Sequence, residues 1–326
     1  MHRLTKVTQG PRSSLLQQNG SDVLILENES IKTTILPGRG ASVVELQYKP
    51  LGLDVLLKMP GGNGAAEPYK VTDYTNHSVV DNHPDGWFSC FPSGGAPAKV
   101  AGNQVGFHGE VWGLPFTLAS LKETPESVEA TFSAKTVRTP FRVEKKFTLK
   151  KGEPTLFLDE TVHNDSPLEI PVLWGHHPTL GAPFIDEHAR IEIGATGYFN
   201  LADDPMMRLR WPHLADGTDL SVVRPLSSRQ GKMVFATDFA EGKARVVSPT
   251  WKLAYELTWN AELFPYCWIW ENAGQLDAPW FGRSHALALE PYTGLAGALE
   301  EGHGLLRIGA GQSHTASIAA SLKPTA

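Results

Sequence analysis

Apolar and polar residues take turns between Phe141 and Leu149. Phe141, Val143, Phe147 and Leu149 fall on one side, Arg142, Glu144, Lys146 and Thr148 on the other. A period of two marks a strand with one buried face, and Lys145 is the residue out of step. Lys151-Gly152-Glu153-Pro154 supplies a turn, after which Leu156, Leu158 and Val162 resume the period, so the segment predicts a hairpin. Similar patterns predict strands at Asp22–Glu27, Ile31–Leu36, Ser42–Tyr48, Val128–Ala134, Ile170–Trp174, Ala189–Ile193, Leu253–Thr258, Tyr266–Trp270, Ala286–Glu290, Leu305–Ile308 and His314–Ile318. Helical spacing is scarce, with a short turn at Leu295–Glu300 as its best case. Many short strands with Gly and Pro punctuation predict an all-β fold, an antiparallel sandwich or barrel. No linker divides residues 1–326, so one domain is expected, with Pro60–Pro68 and Asn200–Gly217 as long loops.

Composition narrows the function. The net charge is −6 and no dense Lys/Arg run occurs, which argues against nucleic acid or an anionic membrane as partner. Two cysteines, Cys90 and Cys267, make neither a disulfide framework nor a zinc ligand set. The stretch Met1–Lys6 lacks the apolar core of a signal peptide, and no apolar run reaches membrane-span length, so a cytoplasmic location is expected.

Three segments carry candidate chemistry. Phe107-His108-Gly109-Glu110 leads into Val111-Trp112-Gly113-Leu114-Pro115. Trp174-Gly175-His176-His177-Pro178 reads as a strand-to-loop junction, where proline biases His177 toward extended backbone and so aims one imidazole. In Ala286–Tyr292, alternation sets Glu290 on the same face as Ala286 and Ala288, small neighbours that leave room for a ligand, and Pro291 is expected to stop the ladder. Trp87, Trp112, Trp174, Trp268, Trp270 and Trp280 belong to or flank these segments, and an indole can cover the apolar face of a sugar. Nucleophile-elbow, phosphate-loop, dinucleotide and His-Glu-x-x-His motifs do not occur, so no cofactor and no metal are expected. Imidazole with carboxylate could still hold a divalent ion, which keeps a metal-dependent isomerase or lyase as a minor alternative.

In this order the three motifs resemble those of the aldose 1-epimerase (mutarotase) family, in a version similar to a bacterial subgroup of it. The likeness runs from about Ile31 to Ile318. It implies a large antiparallel β-supersandwich and a cofactor-independent isomerase that opens an aldose ring by acid/base catalysis. By position Glu290 matches the general base, His177 the general acid that directly precedes proline, and His108 the second histidine at the ring oxygen. The base and acid would act from opposite sides of the anomeric centre. His176, Trp87, Trp270, Glu271 and Arg39 are the candidate substrate contacts, Glu271 standing in for a sugar-binding aspartate of relatives and Arg39, Arg283 or Lys58 for their arginine. Asp81–Trp87 carries no arginine where hexose-6-phosphate epimerases have one, which favours an unphosphorylated aldose or sugar derivative. The expected partner is therefore a small-molecule carbohydrate, bound by a monomer or homodimer. A carbohydrate-binding protein that keeps this fold without catalysis is the alternative, since the aromatic residues alone would serve it.

Overall fold

Three features of this chain's backbone position its polar residues: a broken alternation, a continuous antiparallel ladder and a gap in that ladder. The computed structural model describes residues 10–18, 20–58, 78–82, 86–200, 204–214, 217–302 and 304–326. The Pro60–Pro68 loop lies outside them, as do the residues Met1–Lys6. Eighteen described strands join in one antiparallel hydrogen-bonded network, and the described helices are at most four residues long. The fold is thus the all-β antiparallel supersandwich, folded over toward a barrel.

The predicted hairpin is Phe141–Lys150 with Thr155–Asn164, in the register Phe141 opposite Asn164 and Phe147 opposite Leu158. Its outer strand pairs with Ser313–Pro324, which pairs with Leu253–Trp259, which pairs in turn with the second half of Gln230–Ser248. The first half of that 19-residue strand instead pairs with Tyr266–Ala273. Between the halves Asp238 adopts φ 61, so one strand serves both parts of the sheet. Tyr266–Ala273 continues to His285–Tyr292, then to Gly175–Gly181 and Trp87–Cys90.

The inner faces of Trp87–Cys90 and of the hairpin pack on one another. Val43, Trp87 and Ser89 meet Lys145, Phe147 and Leu158 around a shared interior space. Lys145 therefore breaks the alternation without leaving the core. It is buried, donates to the Gly40 carbonyl at 2.6 Å and faces Glu160 at 3.4 Å. A buried ammonium is tolerated only when so paired.

Two expectations about chain breaks change. His176-His177-Pro178 lies inside a strand, Gly175–Gly181, rather than in a loop after one. Pro291 does not end its strand either, since Cys267 and Tyr266 pair with Pro291 and Tyr292. Each proline simply lacks one N–H, and the ladder tolerates that where no partner is needed. Part of the Asn200–Gly217 excursion is likewise a strand, Asp204–Arg210.

Candidate active site

The gap between the histidine strand, Gly175–Gly181, and the glutamate strand, His285–Tyr292, creates the site. Gly175 pairs with Tyr292 and Thr179 with Ala288, with no backbone pairs between. Pro178 and Pro291 fall inside this gap. The same register, continued across it, sets His177 opposite Glu290. Directly opposed residues of an antiparallel pair project on one face with their Cβ atoms about 5 Å apart. The side chains indeed meet: His177 Nε2 lies 3.3 Å from Glu290 Oε1.

Register extends this pair into a row across five strands. Phe235 stands opposite Trp268, Trp268 opposite Glu290, and His177 opposite Phe88. All five line one cavity of about 610 Å³. The histidine–glutamate pair is thus flanked by aromatic rings on both sides, and Phe88 stacks on His177 with centroids 4.8 Å apart and planes within 11°.

His108 reaches the same cavity from a loop, its ring centroid 5.2 Å from that of His177. Its backbone is left-handed, φ 61, a conformation non-glycine residues adopt rarely and mostly where surroundings enforce it. Gly95 N donates to His108 Nδ1 at 3.2 Å while His108 N donates to the Gly95 carbonyl at 2.9 Å. With Nδ1 accepting, the proton of a neutral ring belongs on Nε2. The next residue must be glycine, because a Cβ on Gly109 would lie 2.3 Å from the Phe91 carbonyl oxygen. Glu110 anchors the loop by accepting from Val137 N, Arg138 N and the Thr139 hydroxyl.

The dyad's outer atoms are differently served. His177 Nδ1 is 2.8 Å from Thr179 Oγ1, two residues along the same strand and on the same face. Both ring nitrogens therefore face an oxygen, an arrangement suited to imidazolium, which donates from both. Glu290 is buried, and its Oε2 has no hydrogen-bond partner among the described residues. Burial pushes this carboxyl well above the usual range.

The other sequence candidates divide by face. Trp270 lines the cavity, 6.2 Å from His177 between ring centroids. His176 points the opposite way, as adjacent strand residues must. It is fully buried in the interior, 3.5 Å from Ser89 Oγ and 3.9 Å from Glu160 Oε1. Burial above all, with Lys145 adding to it against the opposing pull of Glu160, lowers its pKa to about 4. Trp87 lies on that same interior side. Glu271, neighbour of Trp270, also faces away: it accepts from Arg224 N at 2.6 Å and pairs with Lys232 at 3.1 Å. Arg39 donates to the Asn82 carbonyl at 3.0 Å, beside Val79 and Asp81 at the cavity's edge, and is not itself in the wall. Geometry thus gathers His177, Glu290, His108 and Trp270, and leaves His176, Trp87, Glu271 and Arg39 outside.

The pattern gives no signal for Phe88, Met233 and Phe235, and it groups Trp268 with five other tryptophans without singling it out. Met233 and Phe235 belong to a strand with four consecutive buried residues, Val234 to Thr237, which hides the alternation. Trp268 had a usable signal in Gly175. A Cβ there would meet the Tyr292 ring at 2.2 Å, and one on Gly94 would meet it at 2.3 Å. Tyr292 in turn stacks on Trp268 at 3.7 Å, so the two glycines make space for an aromatic pair backing the cavity. Among the described residues, no group of three or more His, Cys, Asp or Glu side chains is arranged to hold a metal ion.

The fold is the one seen in solved galactose mutarotase-like structures. Similar solved structures include the Slr1438 protein from Synechocystis, 19% identical with TM-score 0.67, covering 99% of this chain and 100% of that one. A galactose mutarotase-like protein from Clostridium acetobutylicum is 13% identical with TM-score 0.67, covering 98% and 99%. A galactose mutarotase related enzyme from Lactobacillus acidophilus is 15% identical with TM-score 0.64, covering 96% and 98%. At these identities the likeness is one of fold. No curated protein matches the chain by sequence. The chain belongs to the family described as a domain of unknown function, DUF4432, whose model matches residues 18–319.

Proposed function

We propose that this protein is a cofactor-independent aldose 1-epimerase acting on an unphosphorylated aldose or sugar derivative. The observation that carries the reading is the 3.3 Å contact of His177 with Glu290, in a sugar-sized cavity that also holds His108. The mutarotase-like fold supports it.

The hydroxyl oxygen and ring oxygen of a cyclic aldose are bonded to the same anomeric carbon. Groups that serve both can therefore stand side by side, and the contacting dyad replaces the expected approach from opposite sides with one from a single side. Glu290 Oε1 removes the proton of the anomeric hydroxyl as the bond from the anomeric carbon to the ring oxygen breaks. His177 Nε2 delivers its proton to that ring oxygen, and the anomeric oxygen becomes the aldehyde oxygen. Rotation about the adjacent C–C bond presents the other face, and the reverse transfers close the ring. His108, with its proton on Nε2, donates to the ring oxygen as negative charge develops there.

Burial disfavours the Glu290 carboxylate, whereas the reactive form needs it ionised beside imidazolium. The contact resolves this conflict. One proton placed on His177 rather than Glu290 yields an ion pair in which each charge stabilises the other. Thr179 accepts from the far nitrogen and favours that form.

Polarimetry and exchange NMR on freshly dissolved aldoses test the reading. Acceleration over buffer is expected, with Glu290→Gln and His177→Asn each lowering turnover ~100-fold or more while sugar binding persists. Folded protein with no acceleration across a broad panel would sink the proposal.

A further inference from the structure

Among the described residues, the cavity's wall beyond the dyad is mostly aromatic and apolar, with Asp81 at its edge and the indole N–H groups of Trp270 and Trp280 as its few polar atoms. Next to Glu290 come Trp268 and then Phe235, and the adjoining row across the same strands is Ala288, Trp270 and Met233. Trp280 closes over Trp270 with centroids 5.3 Å apart, and all but Ala288 line the cavity. Trp268 cannot turn its indole N–H to a ligand, because that group donates to the Gly294 carbonyl at 3.0 Å. Its ring is fixed from behind by Tyr292 and edge-on by Phe235 at 5.2 Å. What it presents is a flat apolar face.

A reducing sugar has one anomeric carbon, and the dyad pins it. The part of the ring directed toward Trp268 and Phe235 then lies over aromatic carbon. A hydroxyl buried there loses its water without gaining a donor or acceptor from these residues, whereas a methylene or methyl group gains by the same burial.

Resting on the mutarotase reading of this site, we infer that the substrate is an aldose whose part remote from the anomeric carbon is deoxygenated or carries an alkyl or aryl substituent. Met233 and Phe235, with Trp268 and Trp270, are its specificity-determining residues.

The test compares D-glucose with 4-deoxy-D-glucose, 6-deoxy-D-glucose and 6-O-benzyl-D-glucose on the full chain. Binding is read by calorimetry and anomer exchange by NMR. At least one of the less polar sugars is expected to bind ~10-fold or more tightly than glucose, the ratio that follows from sparing one unpaired hydroxyl. Met233→Gln, which puts a donor and an acceptor into the wall at a partly exposed position, is expected to shrink that preference to about threefold or less. Glucose binding as well as every analogue would overturn the inference, and so would no measurable binding of any of them. A binding preference without acceleration supports the wall's specificity while defeating the epimerase reading. Acceleration with no preference does the reverse.

Discussion

The two adjacent histidines should separate cleanly in a titration of stability. His176 is the perturbation of choice, because it sits in the interior among Trp87, Trp174 and Phe264 with no short hydrogen bond among the described residues. Its charged neighbours are Glu160 and Lys145. Burial works to raise the Glu160 carboxyl, but Lys145, His176, Ser89 and Trp174 together hold it below its ordinary value, so it stays ionised in mild acid. The unfolded chain binds a proton at this histidine below about pH 6.5, while the folded protein resists until about pH 4. Stability is therefore lost as pH falls through that window. The gap between 6.5 and about 4, at about 1.4 kcal/mol per pH unit, amounts to about 3 kcal/mol. His176→Phe keeps a planar ring and removes the titration. Urea unfolding of both proteins at pH 7, 5.5 and 4.5 reads the difference, from which carboxylates common to both cancel. The variant should gain on the wild type by about 2 to 3 kcal/mol between pH 7 and 4.5. Parallel stability profiles would refute the buried, neutral assignment. Mutarotation by this variant should stay within a few-fold of wild type, in contrast to His177→Asn.

Three further outcomes follow from the site's geometry. Burial raises the Glu290 carboxyl and the dyad shares one proton between Glu290 and His177, so the folded pair keeps that proton to higher pH than the unfolded side chains do, and the stability this contributes is lost as pH rises past neutrality. Glu290→Gln should accordingly be more stable than wild type at pH 8, with the advantage shrinking toward pH 4.5 in thermal unfolding; a pH-independent difference would contradict this. Thr179→Val removes the oxygen 2.8 Å from His177 Nδ1 and frees the ring to turn, so turnover should fall ~10-fold or more while Thr179→Ser keeps most of it. Equal losses in the two variants would point to packing alone. Gly175→Ala drives a methyl group into the Tyr292 ring at 2.2 Å and should cost about 1 to 3 kcal/mol in denaturant unfolding, with altered tryptophan fluorescence from the displaced Trp268 stack. A cost below about 0.5 kcal/mol would show that the ring yields freely.

Much of the architecture was legible because alternation is a local property. Phe141–Leu149 and Leu156–Val162 read as a hairpin and form one, and Ile31–Leu36 and Ser42–Tyr48 are strands with those same bounds. Where burial is continuous the signal fades: Trp87–Cys90 is buried at every position, and Gln230–Ser248 changes partners midway. Lys145 was visible as an anomaly, but its partners Gly40 and Glu160 are distant in sequence.

The same division runs through the site. Sequence by itself determined that His177 and Glu290 each stand in extended chain beside a proline, that Glu290 shares its face with small residues, and that His108 precedes a glycine. Once the segment is seen to be a strand, alternation sets His176 and His177 on opposite faces. Which of them faces the cavity depends on register across strands more than a hundred residues apart, and only the folded sheet decides that. Continuing Gly175–Tyr292 and Thr179–Ala288 across the proline gap sets His177 against Glu290, and the flanking pairs add Phe235, Trp268 and Phe88 to the row. Side-chain direction follows from neighbouring residues, whereas side-chain company follows from long-range pairing, and catalysis needs both.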